Sequence, residues 1–150
     1  MSLSANQIPV YSITPKTGVG AIVASSNTVT LGSDTNGATI FTASASGSRV
    51  YSLVANTNDN VAAVNVLLYI LSGASVRPLG IINVPLSSGN VATIVNVDCL
   101  NPAVLNGMPI DNTGKRYIEL GANEVLKCGA LANLSAAKTC YVTAQAADYV

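Results

Sequence analysis

Residues 64–73, Val-Asn-Val-Leu-Leu-Tyr-Ile-Leu-Ser-Gly, constrain the fold more than any other stretch. A membrane-spanning helix needs roughly 20 mostly apolar residues. Here the apolar run over 61–71 contains Asn65 and then meets Ser72, Gly73, Arg77 and Pro78. A buried helix is disfavoured because Val, Ile and Tyr are stiff at the first side-chain torsion and suit pleated structure. Turn formers bracket the run, with Asn56, Asn58, Asp59 and Asn60 before it and Ser72 and Gly73 after it. A strand is therefore predicted over about 61–71. Its even positions, Val64, Val66, Leu68 and Ile70, make a core face. Its odd positions, Asn65, Leu67, Tyr69 and Leu71, are also mostly apolar. A strand with one solvated face should alternate more cleanly. The second face needs a cover, from this chain or from another.

The rest of the chain supplies partners for that strand. Further strands are predicted over 39–43, 49–56, 76–84, 91–97, 116–120, 124–128 and 138–146. Pro78 marks an edge strand or a bulge. About eight short strands with turn signals roughly every 8–12 residues predict an all-β antiparallel sandwich of jelly-roll type. No segment carries a sustained helical period. Residues 1–35 are broken by Pro9, Pro15, Gly18, Gly20 and Gly32 and are expected to form an extended N-terminal arm that is partly strand. Residues 36–150 form the sandwich domain. The connection over 101–114 is irregular, yet Val104, Leu105, Met108 and Ile110 are too apolar for a free loop. It is expected to lie over a core edge or an interface.

Chemistry has little to build on. The chain has no histidine, which removes the commonest general base and metal ligand and any Ser-His-Asp or Cys-His site. Asp34, Asp59 and Asp111 sit in turn contexts, where a short acceptor caps the backbone. Glu119 and Glu124 flank a hairpin turn and are expected to pair with Arg116, Lys127 or Lys115. Gly18-Val19-Gly20 is no phosphate loop, because no helix or Lys-Ser/Thr pair follows it. Charged residues make up 9% of the chain and cancel to zero net charge, against roughly 25% charged in soluble proteins generally. Nucleic acid and anionic membranes are poor partners for such a surface, and little repulsion keeps copies apart. No catalytic residue, cofactor or metal is expected, and the protein is not expected to be an enzyme.

Cys99, Cys128 and Cys140 include no Cys-x-x-Cys pair. In a hairpin turning near Asn133, Cys128 and Cys140 would lie opposite one another, within disulfide reach. A reduced buried pair, a disulfide between them, and a cross-chain link through Cys99 all remain open. The N-terminus has no signal-peptide character, so synthesis in the cytoplasm is expected.

The pattern over 61–73, over 79–85 with 87–89, over 112–120 with 124–126, and at 146–149 resembles small β-rich structural proteins of tailed bacteriophage virions. Among these it is most similar to capsid decoration, or cement, proteins. That resemblance implies a virion protein on the capsid exterior that forms a homo-oligomer, often a trimer in such proteins. Its partners would be itself and the major capsid protein, and it would stabilise the head lattice. A tail, neck or baseplate component is the alternative within virion structure. A carbohydrate-binding sandwich module that uses Tyr side chains is the alternative outside it. The expected oligomer or capsid interface is Leu67, Tyr69 and Leu71 together with Val104, Leu105, Met108 and Ile110. On that expectation Leu67→Asp dissociates an oligomer and leaves the monomer folded.

Overall fold

The computed structural model describes residues 14–23 and 27–149. They form nine strands: β1 (Thr14–Val23), β2 (Ala38–Thr42), β3 (Ser48–Thr57), β4 (Val64–Ser72), β5 (Ser75–Val84), β6 (Val97–Asp98), β7 (Ile118–Leu120), β8 (Val125–Ala130) and β9 (Thr139–Asp148). One sheet has the order β1-β9-β3-β6, with β7 also on β3; the other has the order β2-β8-β4-β5. All the strand pairings are antiparallel. The pairs nest: β4 with β5, β3 with β6 and β7, β2 with β8, and β1 with β9. A long hairpin rolled across itself gives this order, which is the jelly-roll form of the β-sandwich.

The core lies between the sheets. Val50, Leu53 and Ala55 of β3 and Val142, Ala144 and Ala146 of β9 face Val66, Leu68 and Ile70 of β4 and Leu126 and Cys128 of β8. The inward residues of β3 do not keep one parity. A register shift between Val50 and Ser52 opposite β9 adds Tyr51 as an extra residue, which turns both Val50 and Leu53 inward and leaves Tyr51 exposed. In β5 a second shift, opposite Leu68 and Tyr69, falls at Pro78 to Gly80 of this edge strand. At the corner where β1 meets β2, a Cβ on Gly20 would sit 2.8 Å from Ile40 Cγ1 and 3.0 Å from Cys128 Sγ. The Gly-Val-Gly motif thus lets the two sheets close.

Three expectations are corrected. Residues 14–23 of the expected arm are a full strand, paired along ten residues with β9. Residues 27–35 also belong to the sandwich, and residues 1–13 lie outside the described residues. The strand expected over 91–97 is a loop until Val97, because its polar groups bond locally: Gly89 N–H donates to Ile94 O (2.8 Å) and Ser88 Oγ donates to Val95 O (2.6 Å). Finally, the second face of β4 is covered by this chain itself.

That cover is the segment 27–37. Ala130 N–H donates to Asn27 O and Val29 N–H donates to Ala130 O, at 2.9 and 2.8 Å, so the segment runs alongside the end of β8. Val29 then packs with Leu67 and Tyr69, flanked by Val76 and Leu131. Gly129 makes room, since a Cβ there would overlap the Val29 side chain; a Cβ on Gly37 would overlap the Tyr69 hydroxyl. The hydroxyl donates to Asp34 Oδ1 at 2.9 Å, and Lys127 Nζ lies 2.5 Å from the same oxygen. Leu67 and Tyr69 are 0% exposed, so neither forms an interface with another molecule. Each buried large apolar side chain here contributes about 1.5–3 kcal/mol.

Leu67→Asp would put an unpaired carboxylate into this closed layer. The variant is expected to lose about 4 kcal/mol or more of stability by urea denaturation, where a surface role predicts almost no change.

Candidate interaction surfaces

The remaining expected interface residues are split by the structure. Leu105 is buried in the core, where it packs over Gly80, and Val104 and Met108 lean against the same core. The loop over 101–110 therefore covers a core edge and does not offer these three side chains to a partner. Leu71 is half-buried between Val76 and Val125 on the neighbouring strands. Of the seven, Ile110 is the exposed one, at 56%.

The cysteines also differ from the hairpin expectation. Cys128 is on β8 and Cys140 on β9, which belong to different sheets. Cys128 pairs in register with Ala38 and Leu68, and Cys140 with Ile22 and Thr57. All three thiols are free and buried. Burial pushes Cys99 and Cys140 up to about 12 and raises Cys128 further, with the neighbouring thiols adding to the rise at Cys99 and Cys128. Such thiols stay protonated at neutral pH and are poor nucleophiles and metal ligands. Among the described residues no group of three or more His, Cys, Asp or Glu side chains is placed to hold a metal ion.

Three of the four ion pairs gather at one end of the molecule, and Lys138 stands at the other, next to Thr139, whose N–H donates to Asn58. Lys16–Asp148, Arg49–Glu119 and Arg77–Glu124 are ion pairs at the end where β3 begins and β9 finishes, and Lys127–Asp34 lies on the outer side of the β2-β8-β4-β5 sheet. Glu119 and Glu124 thus take Arg49 and Arg77, not the nearer basic residues in sequence. Register decides this: Arg49 of β3 faces Glu119 of β7 directly. Arg49 also sits 4.0 Å over the Tyr117 ring.

The opposite end is different. The β3–β4 and β5–β6 loops touch there, with Ser87 N–H donating to Asp59 O (2.7 Å) and Thr57 N–H to Ser88 O (2.9 Å). Residues 58–63 and 85–96 contain one charged residue, Asp59, and it is fully buried. Around it Val61 (72%), Val95 (80%), Leu86 and Val91 are exposed. Single exposed apolar residues are ordinary, but four on two touching loops without an exposed charge make a candidate contact surface.

Asp59 is the pin of that end. Its Oδ1 accepts Val61 N–H (2.9 Å) and Ala62 N–H (3.2 Å), and its Oδ2 accepts Ser135 N–H (2.9 Å) from the β8–β9 loop. Burial pushes the carboxyl up, but these N–H donors outweigh it and hold it at about 2. Asp111 acts more locally, accepting Thr113 N–H and Lys115 N–H as a turn cap. The turn reading of Asp59 was visible in the sequence; its long-range bond to Ser135 had no local signal.

A second candidate is a cleft of about 730 Å³ on the outer side of β3, lined by Tyr51, Val54, Asp98, Ile110, Lys115 and Arg116 among others. Its wall is the 110–116 turn, closed by a bridge between Ile110 and Arg116. No protein-family model matches the chain, and no curated protein matches it.

Asp59→Asn keeps one acceptor and turns the other into a donor facing Ser135 N–H. The variant is expected to lose about 1–3 kcal/mol at neutral pH. Because the folded carboxyl lies below its ordinary value of 3.8, its contribution is complete above that pH and is lost as pH falls towards about 2. The gap between wild type and variant in urea denaturation should therefore narrow over that acid range; a gap independent of pH would contradict the assignment.

Proposed function

We propose that this protein is a structural subunit that docks on the outside of a tailed-phage capsid and stabilises the head lattice, as the resemblance to decoration proteins implies. The observation that carries the reading is the apolar surface that Val61, Leu86, Val91 and Val95 form on two touching loops without an exposed charge. With no exposed charge on these two loops, they enter a protein–protein contact without stripping water from an ion of their own. Burial there stabilises at about 25 cal/mol per Å² of apolar area, and an oligomer repeats the contact over several copies. The zero net charge lets copies crowd on one lattice. In this role the protein is made in the host cytoplasm, works on the virion exterior, and has itself and the major capsid protein as partners.

The reading is tested by cosedimentation with emptied phage heads and, separately, with tails. Saturable pelleting with heads is expected. Val61→Asp combined with Val95→Asp should weaken it by about 100-fold or more with an unchanged melting temperature, since both side chains are exposed. Full binding by the double variant would move the contact to another face. Pelleting with tails and not with heads would favour a neck, tail or baseplate location.

A further inference from the structure

We infer that the cleft beside β3 is a binding site for an acidic saccharide, a pyranose unit carrying a carboxylate. This inference does not depend on where the protein docks. The lining combines three things that a sugar acid needs. Tyr51 is pushed outward by the bulge in β3 and is 47% exposed. With Ile110 and Val54 it offers an apolar surface to the C–H face of a ring.

The charges point to an anion. Four of the seven basic side chains are committed to ion pairs, while Lys115 and Arg116 in this lining have no carboxylate within ion-pair distance among the described residues. Arg116 Nη1 donates to Met108 O at 3.2 Å, which fixes the guanidinium and leaves its other N–H groups for a ligand. The Asp111 cap holds the turn that presents both residues.

Asp98 sets the ligand's character. One of its oxygens accepts Leu100 N–H at 3.0 Å, and the second is available to a hydroxyl. A carboxylate in the same cleft opposes a doubly charged phosphate, but it suits a singly charged ring rich in hydroxyl donors. Asn101 adds a neutral amide, whose oxygen is occupied by Ala103 N–H and whose NH₂ is a donor.

The test is an NMR titration of the intact chain with a linear tri-hexuronate and, in parallel, with the corresponding neutral trisaccharide. Saturable shifts confined to residues 51–54, 98–102 and 110–116 are expected with the acidic sugar. The neutral sugar should bind at least about tenfold more weakly, and Tyr51→Ala and Lys115→Ala should each weaken the acidic sugar by about tenfold. Both side chains line an open cleft, so a retained melting temperature separates lost binding from lost folding. Absence of saturable shifts, equal binding of the neutral sugar, or unchanged binding by both variants would overturn the assignment.

Discussion

The structure depends on β4 being buried on both faces. One face is the common sandwich core. The other is closed by residues 27–37, which lie across Gly129 and end with Gly37 against the Tyr69 hydroxyl. The closure is specific because it is partly polar. Tyr69 needs an acceptor once buried, and Asp34 supplies it. Burial alone would raise the Asp34 carboxyl, yet hydrogen bonds from Lys127 and Tyr69 hold it below its ordinary range. The Tyr69 phenol is correspondingly raised, first by burial and then by Asp34. A greasy strand face thus becomes a satisfied layer within one chain.

That closure decides where the molecule can interact. With the second face of β4 sealed, exposed apolar side chains remain on the β3–β4 and β5–β6 loops, around the cleft beside β3, and on other strands and loops, as at Val19, Val23, Leu31, Ile81 and Tyr141. The two candidate surfaces differ in kind. The β3–β4 and β5–β6 loops expose no charge and are pinned from beneath by Asp59. The cleft carries both signs of charge and an exposed aromatic ring. The jelly-roll order separates them: loops between paired strands gather at the two ends, while the long β6–β7 connection folds back beside β3 and walls the cleft.

The sandwich was legible in the sequence because strand patterning and turn residues recur at short spacing, and Val64, Val66, Leu68 and Ile70 announce a core face. The doubly apolar character of β4 was legible too. What covers it was not, because Asp34 and Tyr69 are 35 residues apart and nothing local in residues 27–37 signals a return to the sheet. Reading Leu67 and Tyr69 as an intermolecular surface followed from that gap. The bulge at Tyr51 was hidden for a related reason: one inserted residue changes parity without changing composition. Cys128 and Cys140 seemed to face across a hairpin because sequence neighbours usually pair; the jelly-roll order places consecutive strands β8 and β9 in opposite sheets. In the candidate surfaces, Ile110 could be named from its apolar loop, whereas Val61, Val91 and Val95 look like strand residues until the structure places them in loops, and Leu86 is a single apolar residue among turn formers.

Amide hydrogen exchange through residues 66–70 of β4, followed at high protein concentration and after about a hundredfold dilution, tests the intramolecular cover most directly. A cover supplied by residues 27–37 of the same chain predicts protection that is strong and unchanged by dilution. Exchange that accelerates on dilution would mean that a second molecule closes this face, and would contradict the assignment of residues 27–37 as its cover.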